Sequence, residues 1–277
     1  MRLWMPAPKK DSHKGQNGVV LIIGGSKTYH GAPILAALAA MRFCDLVYFY
    51  SLPQNVEALR KMRIATPNVI CIGKKELPEV FERADCVLIG NGMDVSARTR
   101  RMVEKVLKSK KKCVLDAAAL RLLPISLLHQ NAILTPHVKE FRAAFGQPAS
   151  AQTAAALSQK YNCTILLKGR TDIIASFGKI KKVAGGNAGM TKGGTGDVLA
   201  GLLAAIFSTC PNPFDAAVSA SYLNKKAAEH LHKVLGCFFS ATDLALELGF
   251  VAAMMHNCGK PIKRIKNKQR EGCARGE

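Results

Sequence analysis

The sequence predicts an α/β protein, a mostly parallel sheet with helices packed against it. Two observations point there: short β-rich runs alternate with helically spaced runs, and glycines and polar residues gather just after the β-rich runs. A third sets the domain count. The last third of the 277 residues is helical throughout, so it completes one large domain and does not found a second with its own sheet.

In chain order, the strand candidates are Val19–Ile23, Leu46–Tyr50, Val69–Ile72, Cys86–Ile89, Cys113–Asp116, Ala132–Leu134 and Thr164–Leu167. They are short apolar runs rich in Val, Ile and Leu, as strands buried on both faces require. Between them, Pro33–Phe43, Thr99–Lys108, Val138–Phe145 and Thr153–Tyr161 carry the clearest helical spacing. Asp172–Ala175 and Ile180–Val183 form a hairpin turned at Phe177-Gly178. Helices then cover Asp197–Phe207, Pro213–His232 and Ala241–Met255. Residues 1–258 are expected to form the domain. The basic, almost apolar-free tail Gly259–Glu277 is expected to be disordered.

Composition narrows the class. Apolar residues make up 48% and aromatics only 6%, so the core is aliphatic. No run approaches the ~20 apolar residues of a membrane span. Met1 to Lys14 lacks an apolar secretory core, so the expected location is the cytoplasm. The nine cysteines form no C-x-x-C, and several lie inside strand candidates, which suits reduced structural thiols. The histidines show no metal-ligand spacing; His230 and His232, two apart on a helix, point in different directions. A net charge of +21 attracts nucleotides as well as polynucleotides. No recognition helix or aromatic stacking platform accompanies it, so nucleic acid is expected to be at most a secondary contact of the tail. The Ala-rich helix Pro33–Met41 and the C-terminal helices offer surfaces for a homo-oligomer.

In open α/β sheets ligands bind beyond the carboxyl ends of the strands. Gly24-Gly25, Gly90-Asn91-Gly92, Asp116, Thr135-Pro136-His137 and Lys168-Gly169 all stand at such places. The most informative segment is Gly185-Gly186-Asn187-Ala188-Gly189-Met190-Thr191-Lys192-Gly193-Gly194-Thr195-Gly196-Asp197, with six glycines in twelve residues ahead of a helix. Glycines let successive N–H groups turn inward as an anion nest, and the helix directs its positive end at the same spot. Taken alone, Asp197 reads as a favourable helix-start carboxylate. Inside a phosphate cradle it would repel the ligand unless it had a task, and accepting a proton from an attacking hydroxyl is such a task. Neither G-x-G-x-x-G nor G-x-x-x-x-G-K-[ST] occurs, so the phosphate site is neither a Rossmann fingerprint nor a P-loop.

The Gly-Gly-Thr-Gly-Asp cradle at 193–197 resembles that of the ribokinase-like superfamily, which implies a three-layer fold with helices on both faces of the sheet. The longer string Asn187–Met190 with Gly193–Gly201 is similar to the ADP/ATP-dependent NAD(P)H-hydrate dehydratase family. The landmarks Gly18–Gly25, Tyr29–Pro33, Ile89–Gly92, Leu115-Asp116, Leu134–His137 with Glu140, and Leu167–Gly169 extend the likeness over about residues 10 to 255. No epimerase domain of the kind often fused to this family is found in the sequence.

The resemblance implies repair of NADH or NADPH hydrated on the nicotinamide ring, by phosphorylating the hydroxyl and expelling phosphate. It implies Asp197 as catalytic base and Gly193, Gly194, Thr195 and Gly196 around the migrating phosphoryl group. Lys168, Gly169, Arg170, Thr171, Asp172 and Gly196 would contact the nucleotide, ADP or ATP. Ala32, Gly92, His137 and Asp197 would line the substrate pocket, and Mg2+ would accompany the nucleotide without an assigned protein ligand. Two positions depart from the family pattern: Ala118 where a second acidic residue is usual, and Asp94 where a loop usually ends in glycine. Asp116 reads as a turn carboxylate and stands outside the catalytic set. The rival within the superfamily is a small-molecule kinase, such as a hydroxyethylthiazole or sugar kinase, which would release its phosphorylated product.

Overall fold

The computed structural model describes residues 3–6, 8, 10–61 and 67–256, so the tail from Gly259 lies outside the described residues. Among the described residues, nine strands form one sheet: β1 (Val19–Ile23), β2 (Leu46–Tyr50), β3 (Val69–Cys71), β4 (Cys86–Ile89), β5 (Lys112–Leu115), β6 (Ala132–Leu134), β7 (Thr164–Leu167), β8 (Asp172–Ser176) and β9 (Lys179–Val183). Their order is β3-β2-β1-β4-β5-β6-β7-β8-β9. Pairing is parallel from β3 through β7 and antiparallel across β7-β8-β9. The alternation of β-rich and helical runs is thus realised as the expected mostly parallel sheet.

Each parallel crossover supplies a helix. In order these are α1 (Gly31–Ala40), α2 (Pro53–Lys61), α3 (Leu77–Arg83), α4 (Ala97–Lys108), α5 (Ala118–Arg121), α6 (Val138–Phe145) and α7 (Ala151–Lys160); α8 (Thr195–Thr209), α9 (Pro213–Leu235) and α10 (Ala241–His256) follow the sheet. The pleat of the strands divides the core in two. Val20 and Ile22 of β1 pack with residues of α1, α8, α9 and α10, whereas Val19, Leu21 and Ile23 pack with α3, α4 and α5. Helix α8 is apolar nearly all round because α1 and α9 cover it on the outside and the sheet lies beneath. The exposed edge strand β9 carries Lys179, Lys181 and Lys182, charges that discourage edge-to-edge pairing.

Three expectations are adjusted. Helix α1 starts at Gly31, with Pro33 inside its first turn, where a missing N–H costs nothing. Helix α8 starts at Thr195, so Thr195 and Gly196 belong to its first turn and only Gly193 and Gly194 remain as loop. The Ala-rich α1 is buried within the chain against α8 and α10, and so is not a free surface for self-association. Among the described residues, no helix is long and apolar enough to cross a membrane.

Candidate active site

Strand β1 is flanked by β2 on one side and β4 on the other, so the chain reverses its direction of winding there. Such a switch point leaves a crevice beyond the strand ends, where loops diverge. Gly24-Gly25 leaves β1 and Gly90-Asn91-Gly92 leaves β4, and the two loops touch: the Gly25 N–H donates to the Asn91 carbonyl at 2.8 Å. Gly92 lies against Ala32 and the Tyr29 carbonyl, which brings two of the expected substrate residues together. Next to this loop a cleft is lined by Gly24, Gly25, Ser51, Asp94, Ser96 and Arg98.

Asp197 reaches the crevice from the first turn of α8. Gly194 caps that helix with φ +95°, a conformation that L side chains rarely adopt, and a Cβ there would strike Leu35. Helix geometry leaves first-turn N–H groups without intrahelical acceptors; the Thr195 N–H turns back to the Lys192 carbonyl at 3.5 Å.

Asn91, fully buried, donates through Nδ2 to Asp197 Oδ1 at 2.6 Å and to Asp116 Oδ2 at 2.9 Å. Two carboxylates fix the orientation of its amide, since a flipped oxygen would face both. Asp116 also accepts from Thr135 Oγ1 at 2.9 Å and from Lys168 Nζ at 2.8 Å. Glu140 Oε2 lies 3.8 Å from the same ammonium, and Gly196 lies beside it. Burial works against the charge of Lys168, but Asp116 and Glu140 outweigh it and raise its pKa.

Burial, and then the like charge of Asp116, push Asp197 up to about 6, against the opposing hydrogen bond from Asn91 and the charge of Lys168. A carboxylate poised there is still ionised at neutral pH and holds a captured proton more firmly than an exposed aspartate.

His137 stands at the start of α6, half exposed. Its Nδ1 accepts from the Lys139 and Glu140 N–H groups at 3.1 Å each, and its own N–H donates to Glu140. The ring is therefore a helix cap, with Nε2 3.6 Å from Glu140 Oε2; a backbone bridge pairs His137 with Lys168. Arg170 and Thr171 are exposed on the β7–β8 turn, while Asp172 is buried. The Asp172 carboxylate accepts from the Gly169 N–H at 2.9 Å and Ser221 Oγ at 2.7 Å.

Asn91, Asp116 and Glu140 are the members that sequence reasoning left without a role. Position after a strand was the available signal; partnership with Asp197 was not encoded locally. Of the two departures, Ala118 is buried at the start of α5, and Asp94 is exposed on the cleft.

A family model described as NAD(P)H-hydrate dehydratase matches residues 20–248. The ADP-dependent (S)-NAD(P)H-hydrate dehydratase of Cenarchaeum symbiosum is 35% identical to this chain over 96% of both. A bifunctional NAD(P)H-hydrate repair enzyme of Archaeoglobus fulgidus is 39% identical over 85% of this chain and 51% of its own length. Among solved structures, the ADP/ATP-dependent NAD(P)H-hydrate dehydratase of Bacillus subtilis, co-crystallized with ATP/Mg2+, superposes with a TM-score of 0.78. The two are 26% identical, over 89% of this chain and 93% of that one.

Proposed function

The chain belongs to the NAD(P)H-hydrate dehydratase family, and from that membership we propose that it uses ADP to dehydrate (6S)-hydrated NADH and NADPH back to the intact cofactors. The observation that carries the reading is Asp197 at the mouth of the glycine cradle, held by Asn91 and poised near neutrality. Asp197 takes the proton of the substrate hydroxyl as its oxygen attacks the terminal phosphoryl group of ADP; AMP leaves. The amides of Gly193 to Gly196 hold the phosphoryl oxygens during transfer. The phosphorylated hydroxyl then departs as phosphate, and loss of a proton from the neighbouring ring carbon restores the double bond. Phosphorylation is needed because hydroxide is a poor leaving group.

Ala32, Gly92 and His137 face the hydrated dinucleotide, with the cleft beside Gly24-Gly25 as its approach. The segment from Lys168 to Asp172, with Gly196, faces the nucleotide. Asp116, Glu140 and Asp197 set three carboxylates against the single ammonium of Lys168. Phosphates approaching this cluster call for a further cation, and the hard oxygens of Asp116 and Glu140 suit Mg2+ arriving with the nucleotide. When bound, the ion neutralises phosphate charge.

The test is recovery of reduced-nicotinamide absorbance from hydrated NADH with magnesium and either ADP or ATP. Wild type is expected to restore the band, with ADP the better donor. Asp197→Asn is expected to lose at least about a hundredfold in rate, the scale of a missing general base. Release of a phosphorylated dinucleotide in place of NADH would reassign the chain to the kinases of its superfamily.

A further inference from the structure

Lys225 lies on α9, away from Asp197, and is only 4% exposed. Its ammonium donates to three backbone carbonyls, Gly169 at 3.1 Å, Arg170 at 3.2 Å and Gly185 at 3.4 Å. Asp172 Oδ1 lies 3.4 Å away and supplies the opposite charge. The lysine stem runs along Gly185 and Gly186, and Glu229, one helical turn further, accepts the Gly186 N–H at 3.1 Å. One face of α9 thus ties together two backbone segments at the end of the sheet where Asp172 of β8 pairs with Val183 of β9: the β7–β8 turn and the glycine loop after β9.

Burying an ammonium is costly unless every donor is met, and here every donor is met. A neutral side chain would link two segments with less desolvation, so the charge asks for a reason. With the ammonium in place, the carbonyl oxygens of Gly169 and Arg170 are held inward, away from any anion above the turn. The same charge offsets Asp172, which would otherwise stand buried and negative beneath a phosphate-binding surface.

We propose that Lys225 is a positioning residue for the donor nucleotide, holding residues 169–172 and Gly185 in the arrangement that receives it. The proposal rests on the reading that this turn takes the nucleotide. Lys225 itself touches neither reactant.

Three variants separate positioning from mere support of the fold. Lys225→Met keeps the stem and removes the charge. With folding checked by circular dichroism, its KM for ADP is expected to rise about tenfold or more, with kcat at saturating ADP and KM for hydrated NADH within about threefold of wild type. Lys225→Arg is expected to retain most of the ADP affinity. Lys225→Ala is expected to regain ADP affinity in ammonium or methylammonium chloride but not in sodium chloride. A folded Lys225→Met protein with unchanged KM for ADP overturns the proposal.

Should the variants not fold, hydrogen exchange on wild type decides. ADP is expected to protect amides in 169–172 and 185–186, and unaltered exchange there at saturating ADP overturns the proposal. A wild type that binds ADP with this protection but never restores NADH overturns the assigned reaction and leaves the clamp standing.

Discussion

Asp197 owes its chemistry to neighbours that oppose one another. Burial and Asp116 raise its pKa to about 6, while Asn91 and Lys168 restrain the rise. Because the base must be ionised, kcat/KM is expected to fall as pH drops through about 6. In Asp116→Asn the like charge is gone and the Lys168 ammonium is released from its pair, and both changes favour ionised Asp197. The acidic limb of the pH–rate profile should therefore move to lower pH. A limb that stays in place, in a folded variant, would show that Asp197 does not feel Asp116. Asn91 cannot be replaced by Asp at equal cost, because a third carboxylate would then face the other two.

At the scale of elements, α8 carries the site and the centre of one core together. Gly201, two turns into α8, meets the backbone of α1 directly: a Cβ there would collide with the Ala36 carbonyl. Backbone cannot yield as a flexible side chain can. Gly201→Ala is expected to destabilise the fold by about 1–3 kcal/mol. For a chain of this size that lowers the melting temperature by about 5 °C in a thermal scan. An unchanged melting temperature would mean that α1 and α8 can separate freely. Residual activity at low temperature should persist, since Gly201 lies behind the cradle and lends it support without touching it.

At the scale of the molecule, the net charge of +21 dominates. Like charges along one chain repel, and salt screens them. Raising NaCl from about 10 mM to about 300 mM shortens the screening length from about 30 Å to about 6 Å. The melting temperature should therefore rise over that range, and a steady fall would indicate that paired charges outweigh the repulsion. The chain spans nearly the whole length of its Cenarchaeum relative but about half of the bifunctional one. The matched region therefore makes up nearly all of one relative and about half of another.

What the sequence determined by itself was local in origin. The period of apolar residues set strands and helices, and most bounds fell within a few residues, as for β1 and α6. The glycine run and the carboxylate after it marked the loop that leads into α8 and the Asp197 in its first turn, because backbone conformation and helix starts are written in neighbouring residues. Short helices such as α3 and α5 were not singled out, having too few turns to show a period. What only the tertiary structure decided was partnership: Asn91 meets Asp197 across 106 residues, and Lys225 meets Gly169 across 56. Asp116, which reads as a turn carboxylate in sequence, becomes the hub of Asn91, Thr135 and Lys168. Burial, charge proximity and hydrogen-bond geometry depend on which distant segments the packed core brings together. No local pattern along the chain records that.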